Sequence, residues 1–268
     1  MLDGLRVTFL GTGTSAGIPV ITCDCDVCVS TEARNSRLRA SLLLEWAAAD
    51  GNVVKVLVDT STDLRQQALR ASINRVDAVM YTHAHADHVL GLDELRIFNF
   101  VYRQPIPLYG ASETLTALQR MFKYAFDPHA VAGPRLTPIE IRDRFELFGL
   151  TVEAIALPHG PGTVRAFRIG DFAYATDCSE IPAAAEARLR GLDVLVIDAL
   201  RRKPHRSHFT VEQALEQVAR LQPRQAYLTH MSHDLEHAAT QASLPDGVAV
   251  AYDELMIEMS LPEGSRCA

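Results

Sequence analysis

The segment His83-Ala84-His85-Ala86-Asp87-His88 sets the tightest limit on what this chain can fold into. It puts three imidazoles and a carboxylate within six residues. The apolar residues 78–82 run directly before it and read as a buried strand. A strand that delivers four ligand-type groups to the loop at its C-terminal end needs neighbouring strands to bring partner groups to the same place. Imidazole favours zinc, iron, nickel or copper, and the carboxylate adds oxygen character that also admits manganese. In an extended loop, alternation turns His83 and His85 to one side and leaves Asp87 with His88 for a second centre. The plainer alternative is a solvated polar loop.

Other apolar runs supply the neighbouring strands. Residues 5–10 read as a strand ending in the turn-rich Gly11-Thr12-Gly13-Thr14. Residues 42–46 and 53–58 are β-rich and meet through a hairpin turn at Asp50-Gly51-Asn52. Further strands are expected at 106–109, twice within 145–157, at 194–197 and 226–229, and in the C-terminal part. Residues 164–169 and 172–175 form a hairpin over Gly170-Asp171. Helices are expected at 62–71, at 113–123, at 182–190 with Pro182 in the first turn, and at 210–221 capped by Thr210. Hairpins interspersed with helices predict two packed sheets with helices outside, not one doubly wound sheet. No repeat and no Pro/Gly/Ser-rich linker divides the chain. Residues 1–268 therefore read as one domain, with a polar tail from about residue 262 in which Cys267 needs no role.

The net charge is −7, which argues against broad nucleic-acid or anionic-membrane binding. No apolar run approaches the roughly 20 residues that span a bilayer. Met1 to Arg6 lacks a basic stretch followed by an apolar one, so the expected compartment is the cytoplasm. Five cysteines, three of them within six residues, then point to metal or redox chemistry and not to a disulfide framework.

The HxHxDH pattern after a buried strand resembles the signature of the metallo-β-lactamase superfamily, and the likeness runs over nearly the full chain. The resemblance implies an α/β fold, an αββα sandwich, with two divalent metals (zinc or manganese) at the sheet edges. It also implies a further His, a bridging Asp and a final His, each just after a strand. His159, Asp177 and His230 stand in that order and in those places. One metal would then sit on His83, His85 and His159, the other on Asp87, His88 and His230, with Asp177 between them. Asp59, at the end of 53–58, matches the family's carboxylate that orients a metal-bound imidazole. Capping of the nearby helix is its alternative role.

Cys23-Asp24-Cys25-Asp26-Val27-Cys28 gathers three thiols, and a closed tetrahedral zinc site needs one more ligand. His233, three residues after His230, is the best candidate, which would make this a structural zinc. A reduced, unligated cluster is the alternative. Together with Gly11 to Pro19 and with Thr229-His230-Met231-Ser232-His233, the loop resembles the phosphoribosyl cyclic-phosphate phosphodiesterases. The pyrroloquinoline quinone B proteins share a similar Cys loop. Cys178, beside Asp177, reads as a buried small apolar residue.

The same resemblance implies that His208 protonates a leaving oxygen or steadies a phosphate, with His205 as its rival. Arg37, Arg39 and Arg96 are candidates for a bidentate grip on substrate phosphate. Residues 120–134, with Phe122, Tyr124 and Phe126, read as core or homodimer interface, or else as a pocket wall. The expected activity is that of a di-metal phosphodiesterase acting on ribosyl 1,2-cyclic phosphate or a nucleoside 2′,3′-cyclic phosphate. Asp87 and His208 would serve the chemistry, and the partner would be that small molecule. The alternatives are a tRNA 3′-processing nuclease, a pyrroloquinoline-pathway protein and a non-catalytic zinc-stabilised binding module.

Overall fold

The computed structural model describes residues 4–127, 133–262 and 265. The first sheet is built from β1 (Gly4–Gly11), β2 (Ser41–Ala47), β3 (Val53–Val58), β4 (Ala78–Met80), β5 (Ile106–Gly110) and β6 (Leu136–Glu140). The second takes β7 (Arg144–Leu147), β8 (Leu150–His159), β9 (Gly162–Ile169), β10 (Phe172–Ala175), β11 (Val194–Asp198), β12 (Gln225–Thr229) and β13 (Val248–Val250). The last strand, β14 (Met256–Ser260), returns to the first sheet beside β1. The strand orders are β14-β1-β2-β3-β4-β5-β6 and β13-β12-β11-β10-β9-β8-β7. Both sheets are mixed. The steps from β14 to β3 are antiparallel and those from β3 to β6 parallel. Steps from β7 to β10 are antiparallel and those from β10 to β13 parallel.

The central strands are apolar on both faces, so both faces must be covered. Phe9, Leu42, Leu44, Val56 and Val58 point between the sheets and meet Val152, Phe167, Phe172, Tyr174 and Val196 of the second sheet. Their alternates Leu43, Leu57 and Val79 point outward and pack with Leu64, Leu95, Phe98, Leu115 and Leu118. Those five residues come from α1 (Leu64–Arg70), α3 (Leu95–Tyr102) and α4 (Ser112–Met121); α2 (Ala86–Val89) lies between α1 and α3 in the chain. On the other side, Leu195, Ile197 and Leu228 meet Ala185, Val211, Ala214 and Leu221. The covering elements there are α5 (Ala183–Arg188) and α6 (Val211–Leu221), and α7 (His237–Ala242) follows later. The result is the expected αββα order of layers.

Local signals mostly fall where the sequence puts them. Thr210 caps α6 in a reciprocal box: its Oγ1 accepts from Gln213 N at 3.1 Å, and Gln213 Oε1 accepts from Thr210 N at 2.9 Å. Pro182, expected inside the first turn of its helix, is instead the residue just before α5. Residues 83–88 depart further from expectation. Only the first part of this segment is extended; from Ala86 onward it is helical. Thr60 N donates to His88 O (2.9 Å) and Gly91 N donates to Thr60 O (3.0 Å), clamping this turn against the end of β3. A Cβ on Gly91 would lie 2.1 Å from Ser61 O, so the clamp needs glycine. Helix α3 was not read from the sequence. Cys267 and most of the polar tail lie outside the described residues.

Phe167 is buried between the sheets. Phe167→Ala is expected to cost about 3–5 kcal/mol of unfolding free energy, the usual loss for a fully buried ring. Urea unfolding of the metal-loaded protein checks this.

Candidate metal centre

The loops that matter leave the C-terminal ends of β3, β4, β8, β10, β11 and β12. Three residues that follow or close these strands have left-handed backbone: Asp59 (φ 65°), Asp177 (φ 56°) and His230 (φ 60°). Non-glycine residues there carry strain of about 1–3 kcal/mol each, which the surrounding structure must hold in place. From these positions Asp177 faces His88 and His230, and Asp59 stands behind His88.

Two groups of side chains converge. His83, His85 and His159 form one, and Asp87, His88, Asp177 and His230 the other; within each group the ligand atoms lie within 4.8 Å of one another. Asp177, 2% exposed, faces both His88 and His230: Oδ1 is 3.3 Å from His88 Nε2, and Oδ2 is 3.2 Å from His230 Nε2. Asp87 Oδ2 lies 3.4 Å from His88 Nε2 and 3.6 Å from His230 Nε2. His159 Nε2 is 3.2 Å from His85 Nδ1. The helical turn of α2, not strand alternation, brings Asp87 and His88 to face Asp177 and His230, while the His88 ring stays 4.3 Å from that of His83.

Hydrogen bonding shows which nitrogens are free for a cation. His88 Nδ1 is held by Asp59 Oδ2 at 2.8 Å, and Asp59 also accepts from Thr82 N and Thr82 Oγ1, both at 2.8 Å. Asp59 therefore orients His88; α1 has Asp63 and not Asp59 at its cap position. His159 Nδ1 donates to Ser207 O at 2.9 Å. Buried His83 Nε2, His88 Nε2 and His230 Nε2 have no hydrogen-bond partner. Buried imidazole nitrogens left unpaired beside carboxylates are the donor set of a divalent cation, and the outer nitrogens of His88 and His159 are anchored as metal-bound histidines require, while His230 Nδ1 lies 3.6 Å from Asp198 Oδ1.

Charge confirms the fit. Burial raises the cost of ionising Asp177, yet His230 and His88 hold it well below the ordinary carboxylate range. Burial alone would lower His88; Asp177 and Asp59 outweigh it and hold His88 well above the ordinary histidine range.

His208 joins this cluster. It lies with His159 and Asp177 in one group, and its ring stacks on His230 at 4.9 Å and 12°. Its Nδ1 is 3.1 Å from Asp198 Oδ2, which also accepts from Phe209 N. Asp198 was missed in the sequence, although it ends an apolar strand as Asp59 and Asp177 follow theirs. His205 is exposed, and its Nδ1 is engaged by Ser207 Oγ at 3.1 Å.

The arginine expectations need correction. Arg37 is 1% exposed; its Nη1 donates to Thr12 Oγ1 and Ala251 O, both at 2.6 Å, and burial pulls its guanidinium down to about 10. It braces the chain from inside, enclosed away from the surface. Arg39 is committed to Asp63 (2.7 Å) and Ser15 O (3.2 Å). Arg96 is exposed, pairs with Asp93, and lines a groove with Asn99, Phe100, Arg103 and Arg135 that includes none of the clustered histidines. Within residues 120–134, Phe122 is core and Tyr124 Oη donates to Asp93; residues 128–132 lie outside the described residues.

The cysteine loop closes on the predicted partner. His233 Nδ1 lies 3.2, 3.5 and 3.4 Å from the Sγ atoms of Cys23, Cys25 and Cys28. Bond lengths of about 2.3 Å to sulfur and 2.0–2.1 Å to nitrogen put the S···N edge of a zinc tetrahedron at about 3.6 Å. The Cys28 backbone N–H brings the Cys25 thiol down to about 7, while burial pushes Cys28 up to about 11. Cys178 is fully buried.

Fold and site together define a metallo-β-lactamase-type domain. The chain matches the family model described as a beta-lactamase superfamily domain over residues 54–231, and it belongs to that superfamily, on its PhnP side. A crystal structure described as a new diphosphatase from the PhnP family is 40% identical, with a TM-score of 0.89 and coverage of 96% of this chain and 98% of that one. A protein of Porphyromonas gingivalis named octanoyltransferase is 35% identical over 256 residues; the match takes in 94% of this chain but only 51% of that protein, so the chain spans about half its length. Coenzyme PQQ synthesis protein B of Methylobacterium radiotolerans is 28% identical over 225 residues, 72% of each chain.

Protons and cations compete for the same nitrogens and carboxylates. Because His88 holds its proton to unusually high pH, metal occupancy is expected to fall as pH drops. Dialysis at about pH 5 and pH 8, followed by elemental analysis, checks this; equal occupancy at both would contradict it.

Proposed function

We propose that the protein is a di-metal phosphodiesterase acting on a small cyclic phosphodiester, a ribosyl 1,2-cyclic phosphate or a nucleoside 2′,3′-cyclic phosphate. The observation that carries this reading is the placement of Asp177 between two histidine groups with His208 at its side, in a chain 40% identical to a PhnP-family diphosphatase. His83, His85 and His159 would hold one divalent cation, and Asp87, His88 and His230 the other, with Asp177 shared. Such a pair supplies charge neutralisation for phosphoryl oxygens and an activated water.

The chain's own residues do the rest. Asp59 and Ser207 O fix the rings of His88 and His159. Asp198 and its bond from Phe209 N hold His208 by Nδ1, which leaves Nε2 to face a departing oxygen. As the imidazolium, with Asp198 beside its Nδ1–H, His208 then gives that oxygen its Nε2 proton in the transition state. A diphosphate and a cyclic diester both present a phosphorus with one departing oxygen, so the PhnP-family neighbour's named activity and this reading ask the same of the site. Acyl transfer, the activity in the name of the Porphyromonas relative, draws no support here: Cys178 is buried, and the other described cysteines cluster with His233. The Cys23–Cys25–Cys28–His233 group would hold a separate structural zinc.

Reconstitution with zinc or manganese is expected to load three metals per chain. Cys25→Ser should lower the melting temperature more than Asp177→Ala, because a closed zinc site contributes folding free energy directly. Equal melting of Cys25→Ser and wild type contradicts the structural zinc. His208→Ala is expected to keep the metals and slow turnover about 10²–10⁴-fold, less so for a p-nitrophenolate leaving group that hardly needs a proton. The function itself is tested by assaying cyclic phosphates, a phosphomonoester, pre-tRNA and a β-lactam side by side. Faster cleavage of pre-tRNA or the β-lactam than of any cyclic phosphate overturns the proposal.

A further inference from the structure

His230 has left-handed backbone and supplies a ligand atom to the buried group around Asp177. A strained residue of this kind keeps its geometry only when its neighbours are tied down. Some of the ties run to β11 and the residues after it: Ala199 N donates to Thr229 O (3.0 Å) and Ser232 N to Leu200 O (2.9 Å). Others run away from the metal centre. Met231 N donates to Thr12 O (3.0 Å), and Ala251 N donates to Leu228 O (2.9 Å). Leu228 and Met231 flank His230, so its turn is gripped from both sides by Thr12 and Ala251, two segments far apart in the chain.

A single buried side chain joins those two segments. Arg37 Nη1 donates to Thr12 Oγ1 and to Ala251 O, both at 2.6 Å, and its Nη2 lies 3.2 Å from His237 Nδ1 of α7. The Thr12 hydroxyl donates in turn to Asp253 Oδ1 at 2.8 Å. Asp253 Oδ2 accepts from Leu38 N (2.8 Å) and from Arg70 Nη2 (3.1 Å). The side chain of Asp253 is 6% exposed, and Thr12 is wholly buried. One hydroxyl thus stands between a buried cation and a buried anion. The loop lies directly on the arginine: a Cβ on Gly13 would come within 2.9 Å of Arg37 Cβ.

Neither Arg37 nor Asp253 belongs to a metal-type ligand group among the described residues. Apolar filling would serve stability as well as a buried ion pair does, whereas directed hydrogen bonds fix relative position. We infer that Arg37, acting through Thr12 with Asp253 behind it, is a positioning residue for His230. It locks together the two segments that grip the turn, and so sets where His230 Nε2 stands against Asp177 Oδ2 (3.2 Å) and Asp87 Oδ2 (3.6 Å). This role concerns the metal centre alone and holds whichever substrate is turned over. Plain bracing is the competing explanation, and it would lower stability without moving the imidazole.

The test loads wild type and variants with cobalt(II) and titrates each with a chelator, following visible absorption. The thiolate-to-cobalt charge-transfer band marks the cysteine group separately. Thr12→Val keeps the shape of the side chain and removes the hydroxyl, whereas Thr12→Ser keeps the hydroxyl. Thr12→Val is expected to weaken cobalt binding at the histidine groups about tenfold, the low end of what loss of an orienting partner costs a metal site. Thr12→Ser should bind as wild type does. Arg37→Met, which fills the space without the charge, should match Thr12→Val and carries the test if that variant fails to fold. Phe167→Ala, destabilising but with no part in these contacts, should leave cobalt affinity unchanged. Wild-type affinity in both Thr12→Val and Arg37→Met overturns the positioning role. So does an equal loss in Phe167→Ala, which traces the effect to stability, or an equal loss in Thr12→Ser, which clears the hydroxyl. A wild type that holds no cobalt at the histidine groups overturns the metal centre and the positioning role together. If the affinities behave as expected but no cyclic phosphate is cleaved, the substrate assignment falls and the positioning role stands.

Discussion

Asp177 is an almost fully buried carboxylate with an imidazole against each of its oxygens. A buried anion is costly unless positive charge meets it, and the rest of the site is arranged around that need. His88 and His230 present unpaired nitrogens to it, and His83 leaves another unpaired on the far side. A cation in each group relieves them, whereas a proton relieves only one. Behind them stands a second row of acceptors: Asp59 behind His88, Ser207 O behind His159 and Asp198 behind His208. The left-handed turns at Asp59, Asp177 and His230 hold these groups in place, against sheets whose apolar faces are covered on both sides.

Much of this was legible in the sequence because strands buried on both faces are continuous apolar runs. The runs at 53–58 and 172–175 match β3 and β10 residue for residue. Ligands placed just past such runs were findable for the same reason. The rest was hidden by long-range contacts. The turn in 86–89 depends on Thr60 and Gly91, which a local pattern does not reveal. Arg37 looked like a surface phosphate binder because nothing near it in sequence shows that Thr12 and Ala251 enclose it. Helix α3 escaped notice because residues 95–102 are a short run of mostly large apolar side chains, Phe100 among them 83% exposed, and such a run is hard to tell from a strand. Asp198 was overlooked although it had the same signal as Asp59, a carboxylate at the end of an apolar strand.

The two metal-type centres are coupled through a short stretch of backbone. His230 faces Asp177 and His233 faces the three thiols, with Met231 and Ser232 between them. Met231 N donates to Thr12 O, and Thr14 N donates to Met231 O, so the first loop of the chain is stitched to the same stretch. The His230 imidazole thus takes its position partly from the same stretch that presents His233 to the three thiols.

The separation of these partners along the chain also dictates an order of events during synthesis. Cys28 and His233 are 205 residues apart. The three thiols leave the ribosome long before their imidazole exists, with most of both sheets still to be made. Until then the thiol loop has only three of its four donors and no anchor to the second sheet. Closure of the tetrad is therefore a late step in the biogenesis of the protein, and a nascent chain halted before residue 233 lacks the join between its beginning and its end.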